Sequence, residues 1–208
     1  MTLQVWLSLL VACLVISLTP GAGAINTMSN ALSQGWRRSI WGVLGQQLAL
    51  AVHVVIVAAG VGLLVTQSPV LFNVIRYAGA AYLVYLGIRL ILIRTDAAGD
   101  GGEPPHVRES AWSMLRRGFW VNLLNPKAIV FFLAFIPQFI RLDQPQLPQY
   151  AIFLATSVGV DTVVMWGGFA ALARPFRRLT RTPRGRKALN SVFGALFIAV
   201  AALLVLVH

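Results

Sequence analysis

Acidic side chains are scarce in this chain: six Asp and Glu among 208 residues, against seventeen Lys and Arg. Charged residues make up 11% of it and hydrophobic ones 58%, where an ordinary soluble domain carries roughly 25% charged residues. With a mean hydropathy of +0.76, the composition excludes a soluble globular fold and points to the lipid bilayer as partner. A single cysteine, Cys13, excludes an intrachain disulfide and any cysteine-built metal site, so no metal or cofactor is expected. Met1–Ser8 has no Lys or Arg, so the charged start of a cleaved signal peptide is missing, although Ala22-Gly23-Ala24 resembles a cleavage site; the segment is read as a span. No apolar stretch alternates with period two, which excludes barrel strands.

What is present is a set of six apolar segments, Leu3–Ile25, Ile40–Val65, Val70–Ile93, Leu115–Ile136, Tyr150–Ala173 and Leu189–Val207. Each is near the ~20 residues that a spanning helix needs. The expected fold is therefore an all-α, multi-pass integral membrane protein. The net charge of +11 would suggest a nucleic-acid partner in a soluble protein, but fourteen of the seventeen basic residues fall in or beside the first, third and fifth connections. The second connection, Thr66–Pro69, has none, and the fourth has only Arg141. Basic loops stay in the cytoplasm, so nucleic acid is not expected and both termini are placed on the other side.

Two of these segments are defective as spans. Asn122-Leu123-Leu124-Asn125-Pro126-Lys127 puts amides, a proline and a lysine near the middle of the fourth, and Thr19-Pro20-Gly21 interrupts the first. A proline lacks an N–H and breaks a helix interior. A lysine at a bilayer centre costs about 2.5–3.5 kcal/mol on the insertion scale. Broken backbone at that depth is tolerated only where protein or a wet cavity surrounds it. The turn-rich linker Thr95–Ser110 divides the chain into residues 1–94 and 111–208, with three spans in each part. Three is odd, so the halves have opposite orientation. Interruptions in corresponding spans point to two inverted three-helix repeats with a binding site at the breaks; two unrelated proline kinks are the alternative.

Asp161 is the only acidic residue inside any of these spans. An intramembrane carboxylate is a functional candidate, often a proton relay; the alternative is an ion pair with Lys127 that locks two helices. Gly42, Gly45, Ala49 and His53 share a helix face. That face reads as a packing seam with one hydrogen-bonded histidine, or as a surface carrying a second titrating group, His53. Tyr82, Tyr85 and Arg89 read as interfacial anchors, and Arg76 as a snorkelling side chain near the outer end. Arg174–Lys187 reads as a topology signal or as a basic stretch on the inner leaflet.

Three stretches carry a family resemblance. Ser17-Leu18-Thr19-Pro20-Gly21 resembles the S-x-x-P-G signature of the LysE/RhtB family of amino-acid exporters, with Ala22-Gly23-Ala24 where a proline-containing continuation is usual. The stretch from Arg76 to Gly87 resembles that family's third-helix motif, with Arg76 where lysine is usual. Gly118-Phe119, the run Asn122–Ala128 and Phe131–Phe139 resemble its fourth-helix block, and Asp161 matches an acidic position of the homoserine, threonine and leucine branch. The resemblance spans essentially the whole chain. It implies export of amino acids or close derivatives through a bacterial inner membrane, driven by the proton gradient, and leaves homo-oligomers open.

On that reading Thr19, Pro20, Gly21, Asn122, Asn125, Pro126, Lys127 and Asp161 bind substrate. The carboxylate is expected at the second break beside Lys127, and the ammonium at the free carbonyls near Thr19. Asp161 and His53 are the proton-coupling candidates. A membrane scaffold would explain the hydrophobicity but not the breaks. An intramembrane hydrolase would need His53 paired with Ser17 or Ser157, and no third group accompanies them.

Overall fold

In a computed structural model, residues 1–67, 69–92, 108–175 and 182–206 are described. Most of the linker at 95–110, the middle of the basic stretch at 174–187 and the last two residues lie outside that set. Among the described residues there are helices and no strands. In chain order they are α1 (Leu3–Leu18), α2 (Ala22–Gln34), α3 (Ile40–Gln67), α4 (Pro69–Leu92), α5 (Ala111–Leu123), α6 (Pro126–Phe139), α7 (Gln146–Thr162) and α8 (Pro183–Leu206). A π-helical stretch, Val163–Ala170, continues α7 without a break.

The spans at Ile40–Gly60 and Gln146–Ala170 are each long and apolar enough to cross a membrane. The first and fourth apolar segments are not single helices. Each is a bent pair, α1 with α2 and α5 with α6, and each pair turns by 59° at its break. α4 and α8 have 24 residues each, about 36 Å at 1.5 Å per residue.

The packing has a reciprocal pattern. α3 lies against α5, α7 lies against α1, and α4 lies against α8. Glycines make two of these approaches close. A Cβ on Gly45 would stand 1.9 Å from the Leu115 carbonyl oxygen, and one on Gly118 would stand 2.0 Å from that of Gly42. At the α4–α8 crossing, a Cβ on Gly87 or Gly194 would stand 2.6 Å from the other's carbonyl oxygen. The small-residue face of α3 is thus a seam. The core beside it is aromatic: Phe131, Phe132, Phe135, Phe139 and Phe153 are buried together, with Phe131 and Phe135 stacked at 4.5 Å.

Arg76 departs from its snorkelling expectation. It is 2% exposed and donates to the Val205 carbonyl near the end of α8, where unpaired carbonyls and the helix dipole favour a cation.

Candidate functional site

The two breaks share one local geometry. The residue before a proline is pushed out of the helical region towards extended backbone. Thr19 before Pro20 has φ −76° and ψ 112°, and Asn125 before Pro126 has φ −76° and ψ 111°. Each break leaves the last carbonyls of the helix before it without intrahelical donors.

At the first break, Lys127 supplies the donors. Its Nζ gives hydrogen bonds to the carbonyl oxygens of Ile16, at 3.0 Å, and Thr19, at 2.7 Å. Gly21 makes room for this, since a Cβ there would stand 3.4 Å from Lys127 Cε and 3.5 Å from Nζ. The carbonyl end of α1, expected to receive a substrate ammonium, is therefore held by the chain's own ammonium. The physical reason is that a buried cation must be paired or hydrogen-bonded, and the nearest unpaired acceptors are these carbonyls.

At the second break, His53 Nε2 donates to the Leu123 carbonyl at 3.2 Å, and the imidazole stacks on Phe132. His53 lines a separate apolar cavity of about 340 Å³, with Ile56, Leu123 and Phe132 among its walls. The structure does not bring it into the pocket that holds Asp161. Nor does it form a nucleophile–base pair, because Ser17 bonds Asp161 and Ser157 bonds Cys13.

The helix starts after the breaks differ. The Asn125 side chain accepts the Lys127 backbone N–H at 3.1 Å and so caps α6. α2 begins after Gly21 with no side-chain cap. The open positive helix end is therefore at the first break, whereas the sequence reading put the carboxylate site at the second.

Asp161 sits in the last turn of α7. Its two oxygens accept from Ser17 Oγ at 2.9 Å and from Gln47 Nε2 at 2.8 Å. The ion pairs among the described residues are Arg117–Glu109 and Arg141–Asp143. Asp161 and Lys127 line the same pocket but each is satisfied by neutral partners, so the alternative of a locking ion pair is not formed.

That pocket has a volume of about 50 Å³, room for one or two waters at roughly 30 Å³ each. Its polar wall includes Ser17, Gly23, Gln46, Asn122, Asn125, Lys127 and Asp161, and its apolar wall includes Leu50, Phe131, Phe132 and Met165. Asn122 donates to the Gln46 carbonyl at 3.0 Å, and Gln46 Nε2 donates to the Gly23 carbonyl at 3.2 Å and to Thr27 Oγ1 at 3.0 Å. Asn122, Asn125, Lys127 and Asp161 thus meet at one place, while Thr19, Pro20, Gly21 and Pro126 shape the breaks beside it. Sequence reading missed Gln46 and Gln47; two adjacent amides inside an apolar span were the available signal. It also missed the π-helical stretch that starts two residues after Asp161, a kind of distortion often found at functional sites.

The LysE type translocator family model matches residues 14–207. The chain belongs to the LysE family. These proteins are transporters, not enzymes. The chain is similar to a homoserine/homoserine lactone efflux protein of Salmonella typhimurium, 42% identical over 205 residues that cover 98% of this chain and 97% of the relative. It is 40% identical to an uncharacterized membrane protein of Vibrio cholerae, over 98% of both chains. A leucine efflux protein of Klebsiella pneumoniae is 32% identical, over 95% of this chain and 92% of its own length. No solved structure matches the chain.

Proposed function

We propose that this LysE family protein exports a small amino acid or a close derivative from the cytoplasm across a bacterial inner membrane, in exchange for protons. The observation that carries the reading is Asp161: a carboxylate inside a span, held by two neutral donors in a small pocket between two helix breaks. Homoserine, homoserine lactone and leucine, for which the relatives are named, have an amino group beside a carbonyl in common. Asp161 receives that ammonium in place of Ser17 and Gln47. The uncapped start of α2, with Lys127 fixed beside Gly21, receives the carboxylate or the lactone carbonyl. A proton reaching Asp161 removes its charge and releases the ammonium; loss of that proton to the cytoplasm restores the site.

Residues 1–94 and 111–208 act as two inverted repeats joined by a cytoplasmic linker at 95–110, with both termini periplasmic. The equal 59° bends and the pairing of α3 with α5 and of α7 with α1 support this division. A pocket of about 50 Å³ admits no amino acid, so loading requires the halves to move apart, as alternating access demands. Metabolite profiles of medium from cells with and without the protein test the proposal. Accumulation of one or a few amino acids outside producing cells is expected; identical profiles, or a new product without transport, would contradict it.

A further inference from the structure

We infer that Trp36 and Trp166 form the cytoplasmic gate of this transporter. The inference rests on the exporter reading above. The two indoles stack with ring centres 4.6 Å apart and planes 5° from parallel. Each also donates its Nε1–H to the other's backbone carbonyl, Trp36 to Trp166 at 3.0 Å and Trp166 to Trp36 at 3.1 Å. This reciprocal clasp joins two elements far apart in the chain. Trp36 belongs to the α2–α3 corner, which is tied to the start of α5 by Arg38 Nη2 donating to the Glu109 carbonyl and by Glu109 N–H donating to Gln34 Oε1. Trp166 belongs to the π-helical stretch.

The clasp stands on the face marked as cytoplasmic by Arg37 and Arg38, the two residues after Trp36. Ala24, Val43, Val164, Met165 and Phe169 form a buried apolar cluster beside it, with Trp166 and Val160 packed on that cluster. Ala24 and Met165 are also walls of the Asp161 pocket. A route from the pocket to the cytoplasm on this side therefore meets an apolar plug and then the clasp.

The π-helical stretch supplies the means of opening. One residue of register change turns the side chains beyond it by about 100° around the axis, which would carry Trp166 away from Trp36 while the backbone stays helical. Asp161 lies five residues before Trp166, on the same helix. Exchange of Ser17 and Gln47 for a substrate ammonium at Asp161 thus acts on the helical turn that leads into the gate.

Cys13 provides a native reporter, because it is 2% exposed and lines the pocket. In inside-out vesicles, a membrane-impermeant maleimide should label Cys13 about tenfold faster in Trp36→Ala and Trp166→Ala than in the unaltered protein, the scale set by losing an aromatic pair and its hydrogen bonds. Trp36→Phe, which keeps the stack and loses one donor, should fall between, and labelling from the outer face should not change. Equal inner-face rates in all four proteins would overturn the inference.

A Trp36→Cys/Trp166→Cys protein joined by a reducible bifunctional thiol reagent covers the case in which the alanine variants do not fold. Joining should stop transport and reduction should restore it; full-rate transport with the pair quantitatively joined would equally overturn the gate. Homoserine flux by the unaltered protein, measured in the same vesicles, separates failure of the exporter reading from failure of the gate.

Discussion

A buried ammonium and a half-buried carboxylate line one pocket here, yet they are not paired. Lys127 rests on two carbonyls left over by the first break, and Asp161 rests on Ser17 and Gln47. Replacing Lys127 with Met strands those carbonyls and should lower stability by about 1–3 kcal/mol, measured by unfolding in detergent. The Lys127→Met and Asp161→Asn effects on stability should add to within about 0.5 kcal/mol, as for uncoupled sites. A coupling near the ~3–5 kcal/mol of a broken buried ion pair would contradict the geometry. Gly21 belongs to the same arrangement: its φ of −142° suits any residue, so only Lys127 limits what can stand there. Gly21→Ala should keep near-native stability, whereas Gly21→Leu should displace Lys127 and cost about 1–3 kcal/mol by overpacking.

Among the elements, the glycine seams and the breaks fix the arrangement. A methyl group at Gly45 or Gly118 would meet backbone at 1.9–2.0 Å, and backbone cannot swing aside as a flexible side chain can. Gly45→Ala and Gly118→Ala should each lower stability by about 1–3 kcal/mol or more, while Gly159→Ala, with nothing within 4 Å, should be neutral or slightly stabilising. Loss of stability at Gly159 equal to that at Gly45 would count against the seam. The apolar helices, both breaks and this seam were legible in the sequence because each has a local cause: hydropathy, a proline, or small residues at helical spacing. The direction of Lys127 was not, because it depends on carbonyls 108 and 111 residues away in the chain. The Trp36–Trp166 clasp was hidden for the same reason, being a contact across 130 residues. His53 read as a seam residue or as a titrating group, and only its hydrogen bond to the Leu123 carbonyl and its separate cavity show where it sits.

At the scale of the whole molecule, the proposed topology has opposed halves, with the basic loops on the cytoplasmic side. A cysteine at position 37 should be labelled by an impermeant reagent only from the cytoplasmic side, and one at position 143 only from outside, each assayed against the slow background of buried Cys13. The reverse pattern would invert the topology. Proton coupling through Asp161 is the central claim, and Asp161→Asn tests it because the amide keeps the size of the side chain and loses the titrating proton. The measurement is uptake of labelled homoserine into inside-out vesicles, with and without an imposed pH gradient, for the native protein and for Asp161→Asn. Gradient-driven accumulation by the native protein alone, with passive exchange surviving in the variant, is the predicted result; accumulation at the native rate in Asp161→Asn would contradict the account.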